Sequence, residues 1–348
     1  MTAKHNKRTR TFLFSVFLTI VLAFTLFYLT IPKMGYCFDA AFDETGERLY
    51  VTAGYRGLHI FRITAEGKLK YLTTFYTSGY YRYLEVVGDK AYIANNERGL
   101  EVLDIQEDVP KPLWAQSGSK GYGIHVENDQ VYLASNEYGL QIFDITHPEE
   151  PLLLGNLTTN GRMWDVWVNG GIAFLADRDL GLIVADVSSP TRPRQIGFIT
   201  WGDDPMAEVI DGAGNYVYIA AGVNGLIVVD VSDPTRPIIT EQYDPGLDSY
   251  GEGVLLRGEN LFLSIDNKLS SDQNGLHILD ITEPARPRLI SRYPLSNSVE
   301  DIALVGKRLA IANTNSGVAV FDVQSVSNPL LIDTYPGRFW RFFTRLLK

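Results

Sequence analysis

The 348-residue chain carries 31 lysines and arginines against 41 acids, a net charge of −10, with 45% hydrophobic and 12% aromatic residues. That is ample for a packed core, and its 31 glycines and 16 prolines form no low-complexity tract. Its one cysteine, Cys37, excludes an intrachain disulfide and a multi-cysteine metal site, and the acid excess argues against nucleic acid as a partner.

The chain opens on a basic segment, residues 1–10, containing Lys4, Lys7, Arg8 and Arg10. Residues 11–31 (TFLFSVFLTIVLAFTLFYLTI) follow without a charge. As a helix they would be about 31 Å long, enough to cross a bilayer core. Basic residues before the run place the N-terminus in the cytoplasm. The exit FYLTIPKMGY lacks the small residues of a cleavage site, so the run is expected to stay as a signal anchor. Tyr36, a bulky residue just before Cys37, speaks against lipid attachment there. All 41 acids lie between Asp39 and Asp333, where 22 basic residues oppose them, so the body is far more acidic than the total suggests.

From residue 36 a repeat takes over. GLIVADVSSPTRP (181–193) and GLIVVDVSDPTRP (225–237) differ only at Ala185 against Val229 and Ser189 against Asp233. Equivalents of the leading glycine are Gly57, Gly99, Gly139, Gly181, Gly225, Gly275 and Gly317, spaced by 40 to 50 residues. A period in this range means a solenoid, a propeller or an array. Each unit reads as four short strands, for example DVWVNG, AFLAD, GLIVADV and RQIGFI, with β-branched and aromatic residues in alternation. No helical period appears between Met34 and Gly337. The fold class is therefore all-β, a seven-bladed β-propeller of four-stranded blades at about 36–77, 78–118, 119–159, 160–201, 202–245, 246–295 and 296–336. Asp104, Asp144, Asp186, Asp230, Asp280 and Asp322 end the third strands. They read as turn caps rather than catalytic acids, because a carboxylate there can accept backbone N–H bonds two residues on. The unit starts on a first strand and ends on a fourth, which leaves open how the ring closes.

These third-strand motifs resemble the LVIVD-repeat family, and the resemblance covers about 36–336. It implies a propeller and is nearly silent on activity. The first blade departs most, with Arg62 in place of the aspartate.

No H-x-x-x-H, HExxH, G-x-S-x-G or phosphate-loop pattern is present. No cofactor and no metal are expected. The longer sixth blade (SIDNKLSSDQNGL) holds Asp266, Asn267, Asp272 and Asn274, but not at calcium-loop spacing, and reads as a solvated loop. The segments leading into the first strands stand out, because they line one mouth of the channel. They bring Arg82, Tyr83, Tyr122, His125, Arg162, Trp164, Asp165, Trp201, Asp204, Glu208, Tyr250, Glu252, Glu300 and Asp301 toward that mouth. Two readings stand: a turn-shaping consensus, or an acidic, aromatic-lined binding pocket that prefers cationic or hydroxyl-rich ligands.

The last segment, 338–348, is RFWRFFTRLLK. On a helix, Phe339, Trp340, Phe342, Phe343, Leu346 and Leu347 oppose Arg338, Arg341, Arg345 and Lys348, as in a basic interfacial helix. The expected protein is single-pass, with its N-terminus cytoplasmic and its propeller periplasmic or at the cell surface. Its expected role is a non-catalytic scaffold for an unknown protein or glycan, with membrane lipid as a further partner of both ends. A hydrolase or lyase using acids at the mouth is the alternative.

Overall fold

In a computed structural model, the structure describes residues 34–76, 78–136, 138–267, 274–295, 299–313 and 317–335. The expected membrane segment at 11–31 and the expected helix at 338–348 lie outside these. Among the described residues no helix is long and apolar enough to cross a membrane.

From Gly35 onward the described residues form one compact unit. It holds twenty-eight strands in seven antiparallel sheets of four consecutive strands each. Blade 1 runs from Asp39 to Phe75, blade 2 from Tyr81 to Ala115, and blade 3 from Ile124 to Leu157. Blade 4 spans Met163 to Ile199, blade 5 Val209 to Tyr243, blade 6 Ser249 to Pro294, and blade 7 Asp301 to Tyr335. First strands line the channel and fourth strands form the outer wall. Second and third strands are buried almost throughout, as LIVVD (Leu226–Asp230) shows, because their apolar side chains pack against the neighbouring blade on either face. Every blade carries a β-bulge at one place, where its third strand meets its fourth, as between Val228 and Val229. The extra residue adds local twist, which each blade needs to fan outward from the channel.

The repeated residues have local mechanical roles. At Gly225 φ is 73°, and a Cβ there would run into the Tyr243 carbonyl oxygen. The third-strand aspartates cap their turns. Asp230 Oδ1 accepts from Ser232 N at 2.8 Å, and Asp104, Asp144, Asp186, Asp280 and Asp322 repeat the bond two residues on.

Among the described residues no strand is exchanged between first and last blades, and side chains cross the seam. Asp333 accepts from Leu69 N at 3.0 Å, and Arg308 donates to the Gly46 carbonyl at 3.1 Å. Tyr335 packs on Phe61 (4.9 Å between centroids) and stacks on Tyr71 (5.8 Å). Tyr335→Ala is therefore expected to lower the unfolding free energy by about 2 kcal/mol. Urea titration checks this as a lower midpoint at unchanged slope; an unmoved midpoint would mean that the ring closes without these rings.

Candidate functional site

In each blade the first strand runs antiparallel to the second, so the segment leading into the first strand shares a face with the loop between strands two and three. Asp39, opening blade 1, sits opposite Thr52, which ends the second strand. Fourth strands also end on this face, here called the inlet face. At its centre the channel opens into a cavity of about 570 Å³.

Seven of the residues expected at the mouth line this cavity: Arg82, Tyr83, Trp164, Glu208, Tyr250, Glu252 and Glu300. One wall is built around Trp164. Arg82 lies 4.5 Å from its ring centroid and Arg178 lies 4.4 Å from it, so the indole is flanked by two guanidinium groups. Tyr122 packs on the same indole at 4.8 Å. Arg82 also rests within 6 Å of Phe38, Tyr83 and Tyr122, drawing in rings from the first three blades as well as the fourth. Arg178 pairs with Glu208 at 2.7 Å. Burial pushes the Glu208 carboxyl up to about 7, with Arg178 pulling the other way. Through Phe38 this wall continues into a run of rings: Tyr36 to Phe38 (4.9 Å), Phe38 to Tyr80 (5.2 Å), and Tyr80 to Tyr55 (4.8 Å). The Tyr36 hydroxyl donates to Glu300 at 2.8 Å, and burial together with the Glu300 charge raises its phenol pKa.

Arg162 and Asp204 stay outside the cavity lining. Arg162 is exposed on the rim and makes a bidentate pair with Asp179, and Asp204 is exposed with its carbonyl accepting from Asn224. Trp201 is not at the mouth. Its indole is buried in the core beside Phe174 and Leu182, and Nε1 donates to the Pro205 carbonyl at 2.8 Å.

His125, Asp165 and Asp301 do not open on the inlet cavity either. They point down the channel, into a second cavity of about 500 Å³. There first-strand acids stitch four of the blades to the next. Asp39 accepts from Leu84 N (2.7 Å), Glu85 from Val126 N (2.9 Å), Asp165 from Ile210 N (3.0 Å) and Asp211 from Leu256 N (2.7 Å). At the seam between the last and first blades, Asp301 makes a side-chain hydrogen bond with Asp39. The physical reason for the correction is a bulge: Trp164 is the extra residue between Met163 and Asp165, which turns its ring to the mouth while Asp165 keeps a paired position at the joint between blades.

Five mouth residues escaped the sequence reading. Tyr36, Phe38 and Tyr80 sit in or beside segments that were singled out. Met206 precedes the fifth first strand. Arg178 comes from a loop between strands two and three, and the antiparallel pairing was the signal that could have found it. In blade 6, Asn267 N donates to the Asn274 side chain and the Asn267 amide holds Leu247 O and Ser249, so these residues shape the loop; Asp272 lies outside the described residues.

The LVIVD-repeat family model matches residues 78–107, 120–159, 160–199, 206–245 and 271–294, half of the chain. The chain belongs to the LVIVD-repeat family. Among solved structures, a chain of the mitotic checkpoint complex is similar with a TM-score of 0.66 at 12% identity, over 82% of this chain and 89% of that one. The Cps50 (Swd1) β-propeller domain of Myceliophteria thermophila gives 0.64 at 14%, over 83% and 98%. The computationally designed Ika8 protein gives 0.64 at 11%, over 88% of each chain. At these identities the likeness shows the fold alone. No curated protein matches the sequence.

The acids of the LVIVD channel have a measurable signature. Burial raises Asp39, Asp165, Asp211 (to about 6) and Asp301 (to about 7), and the Asp301 charge adds to the shift at Asp39. Against its own burial, His125 is raised by Glu85, 3.2 Å away. A group raised by folding contributes stability that is full below its unfolded value and is lost as pH climbs through the folded one. The propeller is therefore expected to melt at a higher temperature at about pH 5 than at about pH 8. Asp301→Asn is expected to shrink that difference. Thermal melts across this window check it, and an unchanged pH dependence in the variant would contradict it.

Proposed function

We propose that the protein is a membrane-anchored, extracytoplasmic binding module whose inlet mouth receives a cationic side chain of a protein partner. The observation that carries this reading is the division of labour among charges at the mouth. Both arginines are engaged, Arg82 by four rings and Arg178 by Trp164 and Glu208. Beside the Glu208 that pairs with Arg178, two further carboxylates, Glu252 and Glu300, line the same cavity next to aromatic faces. Carboxylates set among rings favour an ammonium or guanidinium group, which gains both Coulomb and cation–π energy. The similar propeller of the mitotic checkpoint complex belongs to a protein assembly, which is consistent with a protein partner.

The enzyme alternative draws on Glu208, whose carboxyl lies near neutrality. Its pairing with Arg178 makes it first a part of the wall, and the other strongly shifted acids are spent on joints between blades.

The experiment is cross-linked pull-down of the full chain from membranes. Glu252→Gln combined with Glu300→Gln is expected to reduce the recovered partner several-fold while the melting temperature stays nearly unchanged. Equal recovery would sink the reading. Anchoring rests on the uncharged run at 11–31, and the mature protein is expected to keep it. N-terminal sequencing decides this; a start between Lys33 and Asp39 would remove the anchor.

A further inference from the structure

The blade topology settles where the two ends of the propeller emerge. The first strand of blade 1 begins on the inlet face, and the last fourth strand ends there at Tyr335. Tyr36, at the N-terminal end, also walls the central cavity, so the chain enters at the axis and not at the rim. Between the uncharged run and Tyr36 lie only residues 32–35. Ile31 and Tyr36 are five Cα steps apart, at most about 18 Å. A blade measures three strand spacings, about 14 Å, from its innermost to its outermost strand before outer side chains are added. A linker this short favours having the face on which it enters toward the membrane.

The inlet face has the surface that such a position requires. Tyr36, Tyr55, Tyr76, Tyr138, Val223 and Leu247 are exposed there, Leu247 at 83% and Tyr76 at 67%. They come from the chain start, from loops between strands two and three, and from connections between blades. The hydroxyls of Tyr36, Tyr55 and Tyr138 are held by Glu300, Glu97 and the Gly118 carbonyl, which fixes the rings in place. Tyrosines at this depth suit a membrane–water interface, with an apolar body and a polar tip. The six turn-capping aspartates all lie on the opposite face, away from lipid. Among the described residues, exposed apolar side chains elsewhere are aliphatic but for Phe198, as at Leu152, Leu153, Ile238 and Leu330 in fourth strands and Val87 and Val109 on the far face, whereas the exposed tyrosines are all on the inlet face.

We infer that the inlet face lies on the lipid surface, with these tyrosines, Val223 and Leu247 in the interfacial layer. This rests on the anchor reading above. It restricts the partner of the mouth to one presented at the membrane surface.

The test uses the full chain in phosphatidylcholine vesicles. Leu247→Cys and Tyr55→Cys probe the inlet face, and Val109→Cys, which is 61% exposed in the turn between the third and fourth strands of blade 2, probes the far face. The native Cys37 is buried and burial pushes its thiol up to about 12, so it stays unlabelled. With a bimane at each site, headgroup-nitroxide lipids are expected to quench positions 247 and 55 several-fold more than position 109. A carbonate wash separates the two readings. If the protein stays in the pellet but the three sites quench equally, the docking face is wrong and the anchor stands. If the protein is washed off, the anchor fails and the docking face fails with it.

Discussion

The ring depends on carboxylates that reach from one blade to the backbone of the next. Neighbouring blades share no strand, so most amide groups of an innermost strand lack a backbone partner in the preceding blade, the bridges at Tyr81 and Gly251 being exceptions. An unpaired buried N–H costs roughly 1–3 kcal/mol. Asp39, Glu85, Asp165 and Asp211 meet that need at four joints, and Asp301 turns to Asp39 at the seam. Burying so many acids around one axis is costly for charge, which is why several hold protons near neutrality. The acids that look most like chemistry in the sequence are thus the ones on which assembly of the ring depends.

The mouth follows from the same geometry. Where a first strand bulges against its second, as at Arg82, Trp164 and Glu252, the extra side chain turns to the cavity while a neighbour stays at the joint. Asp165 and Trp164 illustrate the split. Where the bulged position carries an aromatic ring, it meets rings from adjacent blades. Arg82 sits among four of them, from blades 1 to 4. The binding wall is a by-product of packing order, assembled from residues far apart in the chain.

The fold was legible because its signals repeat. Glycine, the alternating apolar run and the turn-capping aspartate recur at fixed offsets, the first two in seven blades and the aspartate in six, and each has a local cause. The mouth was only half legible. Trp164, Glu252 and Glu300 could be found from the segments leading into first strands. Trp201 looked equivalent, yet the longer connection before blade 5 folds its indole into the core. Arg178 could be placed only through strand pairing, and the inward turn of Asp165 and Asp301 only through register. These are relations between blades, and no single repeat contains them.

Self-contained blades carry an evolutionary consequence. A propeller closed by exchanging a strand must keep its two ends matched, so a blade cannot be added without re-pairing the seam. Here each sheet is made of four consecutive strands, and four of the joints use the same kind of side-chain stitch. A stretch of DNA encoding one unit can be duplicated or lost in frame and still supply a complete blade with its own joint. The near-identity of 181–193 and 225–237, in adjacent blades, is the kind of trace that such copying leaves.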